Sequence, residues 1–224
     1  DFDTTRTKDS YEKILQAFAS QEADILIGTQ MIVKGHDFPN VTLVGVLAAD
    51  MSLHVADYHA AERTFQLLTQ AVGRAGRGQL PGQAVIQTYD PEHFAIQTAK
   101  AQDYESFYQH EIAYRKMMHY PPIWNMLLVH CMGKNEQITQ QTAQLMADKL
   151  QSAIKRSNRP VLLVGPADAT IAKVNDIYRK VLYMKAADYQ TLVALKDALE
   201  QFGKKTNAFS NVTIQFDFNP SSGF

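Results

Sequence analysis

The segment Ala23-Asp24-Ile25-Leu26-Ile27-Gly28-Thr29 narrows the choice of fold more than any other. Its apolar residues are consecutive rather than alternating. A strand here has two faces to bury, the pattern of a parallel sheet covered on both sides. The segment ends in a polar loop, Thr29-Gln30-Met31 and Val33-Lys34-Gly35-His36-Asp37-Phe38-Pro39, and a second apolar strand is expected over Val41–Leu47, ending near Asp50. Helix formers follow from Tyr58 to Leu68 behind a potential N-cap at Asp57, and a third strand is expected over Ala84–Thr88. Upstream, Ser10 can cap a helix over Tyr11–Ser20 that turns Ile14, Leu15 and Phe18 inward. Strand and helix alternating through short connections read as an α/β sheet. Ligands of such sheets gather at the carboxyl ends of the strands, where Thr29, Lys34, His36 and Asp37 follow one strand and Asp50 another.

The helix after Asp57 leads into Gln70-Ala71-Val72-Gly73-Arg74-Ala75-Gly76-Arg77-Gly78. Continued at 100° per residue, a helix brings Gln70, Arg74 and Arg77 within about 60° of one another on one face. An amide and two guanidiniums separated by small residues suit an anion that approaches the backbone closely. The planar donor fork of arginine matches phosphate oxygens.

Asp90-Pro91 reads as an N-cap followed by proline at the first helical position, opening a helical stretch over 91–118 that breaks near Asp103. Tyr120-Pro121-Pro122 stops it. The expected organisation is therefore an α/β region over 1–90, a helical connector over 91–120 and a second domain over 121–224. In that domain a strand over Ile123–Met132 precedes a helix over Glu136–Ser157 and a strand over Val161–Val164 that stops at Gly165-Pro166. A long loop, Pro166–Asn175, leads to a strand over Ile177–Ala186, a helix over Tyr189–Phe202 and an alternating strand over Val212–Phe218. The order β-α-β-β-α-β is that of a ferredoxin-like split βαβ fold of the α+β class.

Composition enters as a filter. A 46% hydrophobic and 20% charged content over 224 residues describes a soluble globular chain of one or two domains. No apolar run approaches the ~20 residues that span a bilayer. The one cysteine, Cys131, excludes a disulfide framework and a cysteine-rich metal site, so a reducing, cytoplasmic compartment is expected. Because the chain begins at Asp1, inside a pattern, it reads as an excised fragment. The net charge of −1 divides unevenly: residues 1–120 carry 10 Lys and Arg against 15 Asp and Glu, and residues 121–224 carry 12 against 8.

There is no nucleophile elbow, no HExxH and no GxxxxGK[ST] loop in this sequence. The arginines of the QxxGRxGRG stretch therefore read as half of a site. An arginine reaching from one α/β lobe toward a nucleotide held by another stabilises charge at a transferring phosphoryl group.

Together, Gly28-Thr29-Gln30-Met31-Ile32-Val33-Lys34-Gly35-His36-Asp37-Phe38 and the 70–78 stretch resemble motifs V and VI of superfamily 2 helicases, in the wording of the primosomal, replication-restart branch. Asp3-Thr4-Thr5, Ala60–Leu68, Gln87-Thr88-Tyr89, Tyr120-Pro121-Pro122 and Gly165-Pro166 fit the same family. The resemblance implies part of the second RecA-like lobe followed by the C-terminal domain of an ATP-dependent 3′-to-5′ DNA helicase. The cofactor would be ATP with Mg²⁺, held mainly by a first lobe that this sequence lacks; zinc would bind elsewhere in the complete protein and not here. Gln70, Arg74 and Arg77 would meet the nucleotide phosphates, with Gly35 and Asp37 near the nucleotide. Thr4, Thr5, Thr29, Gln30 and Lys34 would lie along single-stranded DNA. Implied partners are single-stranded and forked DNA, single-stranded DNA-binding protein and the primosome's helicase-loader proteins, in a cytoplasmic, nucleoid-associated setting.

In the C-terminal domain, Lys173, Arg179, Lys180 and Lys185 are the candidates for a basic DNA-facing surface. This half departs from the family pattern in a less basic loop after Gly165-Pro166 and in Asn219 where an aspartate is usual. Two other readings compete: another superfamily 2 translocase of recombination or repair, and, for the segment alone, a non-catalytic module that binds DNA or protein. The segment alone is expected to be inactive as an ATPase.

Overall fold

The computed structural model describes residues 10–29, 38–76 and 80–221, and the chain divides into two compact units. The first comprises residues 1–55 and 60–110; the second comprises 56–59 and 111–224. The chain thus passes into the second unit for four residues before returning, and the last division falls inside a helix, between His110 and Glu111.

In the first unit, α1 (Ser10–Ala19) buries Leu15 but leaves Ile14 exposed, against the sequence reading, and sets Phe18 edge-on to Phe38. A two-stranded parallel sheet follows, built from β1 (Leu43–Val46) and β2 (Gln83–Ile86) with Leu43 opposite Gln83 and Val46 opposite Ile86. Between the strands lie α2 (Asp50–Leu53) and α3 (Ala60–Val72). The spacing of Ala60, Thr64, Phe65, Leu68 and Ala71 gives α3 one buried stripe, as a 3.6-residue period requires. The helix starts two residues later than the sequence suggests, because the Asp57 carboxylate is taken up locally by the backbone amide and ring of His59.

α4 (Phe94–Ala101) and α5 (Tyr104–Met117) complete the series. The break at Asp103 falls where the sequence placed it, with the carboxylate accepting from the amide and hydroxyl of Ser106. The start does not: His93, not Asp90, caps α4, its Nδ1 accepting from the amide of Ala95. Phe65 stacks on Phe107 at 4.1 Å within a core that includes Leu68, Ala95, Ile96 and Ala99. The strand expected over Ala23–Thr29 is a correction. Residues 25–28 pair with no strand among the described residues, so Ile25 and Ile27 remain 77% and 87% exposed.

The second unit contains β3 (Asn125–Gly133), α6 (Glu136–Ser157), β4 (Val161–Val174), β5 (Ile177–Ala186), α7 (Tyr189–Thr206) and β6 (Thr213–Phe218). Its antiparallel sheet has the order β4-β5-β3-β6, which is the ferredoxin-like arrangement that the element order implied. Asn135 and Asp188 cap the two helices through their side chains, and Asn158 and Asn207 end them in the left-handed conformation. One sheet face presents Leu127, Val129, Cys131, Leu182 and Met184 to Met146, Leu150, Leu192, Leu195 and Leu199 of the helices.

The loop expected over Pro166–Asn175 is instead strand. β4 runs on to Val174 and turns at Asn175-Asp176, both with positive φ, as a two-residue hairpin requires. Gly165 (φ +103°) and Pro166 mark an irregularity in register between Val164 and Ala167 rather than the end of the strand.

Candidate functional site

In the first unit the two ends of the β1–β2 sheet carry different chemistry. At the amino end, α3 tightens as it stops: the amides of Arg74 and Ala75 donate to the carbonyls of Ala71 and Val72, three residues back. Gln70 is exposed in the last turn of the helix, and Arg74, half-buried, lies just past its end rather than on its face. Gly76 (φ +73°) then donates to the carbonyl of Val41 at 3.0 Å, while the amide of Gln83 donates to Thr42 at 2.8 Å. These two bonds fasten the arginine-bearing turn to the residues just before β1. A Cβ on Gly76 would stand 2.6 Å from the amide nitrogen of Gly82, so the backbones of these two glycines meet. Arg77 itself lies outside the described residues.

At the carboxyl end, Asp50 is 6% exposed and its carboxylate is fully occupied by the chain after β2. It accepts from the Thr88 hydroxyl at 2.6 Å, the Tyr89 amide at 3.0 Å and the Asp90 amide at 3.4 Å. The Thr88 hydrogen bond above all holds this carboxyl below the usual aspartate range. Asp50 therefore fixes the loop after β2 and is not free for a ligand. Thr29 is exposed; Thr4, Thr5, Gln30, Lys34, Gly35, His36 and Asp37 lie outside the described residues.

In the second unit the four cations named from sequence have distinct surroundings. Lys173 pairs with Asp176 at 3.0 Å and lies over the ring of Tyr178. Lys180, its side chain 12% exposed, pairs with Asp168 at 2.6 Å. Lys185 sits 3.5 Å from the ring centre of Tyr120 and donates to the carbonyl of Met118, and burial pulls its ammonium below the usual lysine range. Arg179 forms no ion pair among the described residues, and its buried Nε has no hydrogen-bond partner. Beside it, His130 is 9% exposed; its Nδ1 is likewise without a partner. Burial, then the Arg179 charge, holds the imidazole below the ordinary histidine value against an opposing pull from Asp217. No group of three or more metal-ligating side chains occurs among the described residues, and none of their helices is long and apolar enough to cross a membrane.

Residues 2–79 match the helicase conserved C-terminal domain, and residues 116–221 match the primosomal protein N C-terminal domain. Among curated relatives, the replication restart protein PriA of Bacillus subtilis (strain 168) is 45% identical over 221 residues, 98% of this chain and 27% of that protein. Synechocystis PriA is 40% identical over 99% of this chain and 26% of its own length, and that of Chlamydia muridarum is 39% identical over 100% and 29%. The chain belongs to the PriA family.

It spans about a quarter of the length of these PriA relatives. Within the stretch common to PriA and this chain, two participants escaped the sequence reading. Gly82 meets Gly76, and its only signal was Pro81-Gly82 just ahead of a strand. His130 carries no local signal, since an alternating position in an apolar strand shows nothing of what stands across from it.

Proposed function

We propose that the chain is the part of an ATP-dependent 3′-to-5′ DNA helicase that supplies the arginine side of an ATP site shared between two lobes. The observation that carries this reading is the close approach of Gly76 and Gly82, which are fastened to Val41 and, through Gln83, to Thr42 at the amino end of β1. A backbone that tight, flanked by Gln70, Arg74 and Arg77, suits phosphate oxygens drawn close to the chain. The nucleotide, with Mg²⁺, is held mainly by the other lobe, which contributes the phosphate-cradling loop. Bound there, it supplies the phosphoanhydride whose cleavage drives strand movement. Arg74 and Arg77 would stabilise the charge that builds on the γ-phosphoryl oxygens, and Gln70 would meet the nucleotide phosphates with them. Gly35 and Asp37 complete the nucleotide edge. Thr4, Thr5, Thr29, Gln30 and Lys34 contact the phosphodiester backbone without reading sequence, as a motor on any DNA requires.

In its cell this helicase recognises stalled or branched forks and initiates primosome assembly, in contact with single-stranded DNA-binding protein and helicase-loader proteins. The names of the PriA relatives support restart as its setting. Residues 91–120 serve as the helical connector between the helicase lobe and the C-terminal domain. In the complete protein, Arg77→Ala or Arg74→Ala is expected to lower DNA-stimulated ATP hydrolysis by on the order of 10³ while DNA affinity survives. Equal loss of both would assign these arginines to folding instead. The 224-residue chain alone should hydrolyse ATP no faster than background. Measurable DNA-stimulated turnover by it would overturn the shared-site reading.

A further inference from the structure

β3 runs through the interior of the second unit's sheet, bonded to β5 on one side and to β6 on the other. Its residues alternate: Leu127, Val129 and Cys131 face the helices, and Met126, Leu128 and His130 face the opposite way. That opposite face is covered as well, with Leu128 0%, Val181 1% and His130 9% exposed. An ionisable ring thus sits in an apolar layer, and the strand registers place one charge on each side of it. On β5, Val181 stands opposite His130 and Arg179 opposite Met132, so the guanidinium is the diagonal neighbour toward the Gly133 end of β3. On β6, Gln215 stands opposite His130 and Asp217 opposite Leu128, so the carboxylate is the diagonal neighbour toward the Asn125 end. Ala169 of β4 and Tyr183 of β5 pack against Leu128 and Val181; Ala169 brings no charge, and burial pushes the Tyr183 hydroxyl up, which keeps it neutral.

This setting accommodates the neutral ring and not the charged one. Nδ1 of His130 is buried without a hydrogen-bond partner, as is Nε of Arg179. An imidazolium carries a hydrogen on both ring nitrogens, so a proton gained here creates a buried donor with nothing to meet. It also sets a second positive charge in the same layer as Arg179, which forms no ion pair among the described residues. The attraction of Asp217 works against both costs. Burial and then the Arg179 charge outweigh it, so the imidazole stays below the ordinary histidine value.

We propose that His130, flanked by Arg179 and Asp217, is an acid-sensitive joint of the β5-β3-β6 sheet, and that a proton on its ring loosens the second unit. β3 is bonded to both neighbours, so strain at His130 bears on both pairings. Unfolded histidine titrates near ~6.5 and the folded ring titrates lower. The joint's contribution to stability is therefore complete above the unfolded value and is lost as pH falls from there through the folded value. This is the window of mild acidification, above the range in which Asp50, Asp103 and Asp188 titrate. Arg179 sets the strength of the response, and Asp217 limits it.

Urea unfolding of the 224-residue chain, followed by tryptophan fluorescence, tests the joint. Trp124 is the one tryptophan and belongs to the second unit, so the signal reports that unit. From about pH 8 to about pH 5.5 the urea midpoint of the parent chain should fall, and that of His130→Gln should fall markedly less. Arg179→Gln should reduce the fall, and Asp217→Asn should enlarge it. The Cε1–H resonance of His130 should follow the same order. Its titration midpoint in the folded parent should lie below that of an unfolded histidine peptide, rise in Arg179→Gln and drop further in Asp217→Asn. The parent titration needs no variant that could fail to fold: a His130 resonance titrating at or above the peptide value would overturn the joint. Equal falls of the urea midpoint in the parent and His130→Gln, or a lowered His130 midpoint in Arg179→Gln, would overturn it too.

Discussion

Gly76 and Gly82 meet backbone against backbone, so close that a Cβ on either would collide with the other. Five residues, Arg77 to Pro81, lie between them, and the bonds from Gly76 to Val41 and from Gln83 to Thr42 hold both ends of that loop beside β1. Gly82→Ala is therefore expected to destabilise the first unit by about 1–3 kcal/mol, the range for overpacking a closed site. Gly45 offers an internal control, since a Cβ there would meet nothing within 4 Å. Gly45→Ala should be neutral or stabilise by about 0.4–1 kcal/mol through the unfolded chain. Urea unfolding of the two variants checks the contrast; equal midpoints would show that the loop opens at little cost.

Asp50 makes the first unit sensitive to acid. Its folded-state carboxyl is held below the usual range by the Thr88 hydroxyl and the amides of Tyr89 and Asp90. Unfolded aspartate titrates near ~3.9, so the stabilisation is fully present above that pH and is lost as pH falls through the lower folded value. Amide hydrogen exchange at Tyr89 and Asp90 should accelerate on acidification beyond the intrinsic change. In Asp50→Asn that extra acid sensitivity should disappear, and a variant with the same pH response as the parent would rule this carboxyl out as its source.

Tyr58 lies face to face with Tyr120, with ring centroids 4.9 Å apart and planes 12° apart, and its hydroxyl donates to the carbonyl of Pro220 at 3.2 Å. The Arg115 guanidinium stands 5.3 Å from the Tyr58 ring centre and is itself paired with Glu111 at 2.7 Å. Tyr58→Phe removes the hydrogen bond alone and should cost the second unit about 1 kcal/mol. Tyr58→Ala empties the site and should cost about 3–5 kcal/mol. Near-ultraviolet circular dichroism against denaturant can follow both variants. Equal costs for the two would mean that the hydroxyl, not the ring, anchors this residue.

Cys131 is fully buried, and burial pushes its thiol up to about 11. The thiolate is the reactive form, so a disulfide reagent at pH 8 should leave the native chain unmodified. Modification should follow the unfolding curve of the second unit as urea rises. Rapid labelling without denaturant would show that β3 opens locally under native conditions.

What the sequence made legible was the periodic part. The stripes of α6 and α7, the break at Asp103 and the β-α-β-β-α-β order all depend on spacing, and spacing survives into the structure. The errors arose where one residue type serves two purposes. Gly165-Pro166 looks like the end of a strand, but the same pair is absorbed as an irregularity within β4. Asp90-Pro91 looks like a helix start, but the Asp90 amide is drawn toward Asp50 and Thr88, and the helix waits for His93. Ala23–Thr29 has the composition of a doubly buried strand, and composition does not say which strand will stand beside it. The sequence named Gln70, Arg74 and Arg77 as candidates but carried no sign that Gly82 approaches Gly76, because proximity across five intervening residues leaves no periodic trace.

Four residues from the first half of the sequence, Ala56–His59, belong to the second unit, where Tyr58 is built into the layer made by Tyr120 and Pro220. The second unit is consequently not a contiguous gene segment. A piece cut at Glu111 would lack one of its own core aromatics, and a homologous exchange with its crossover anywhere between residues 60 and 110 would unite a Tyr58 from one parent with a Tyr120 from another. Inheritance of this unit is therefore tied to a stretch of sequence that begins before α3, so shuffled or truncated relatives should keep their stability only when position 58 travels with the C-terminal half.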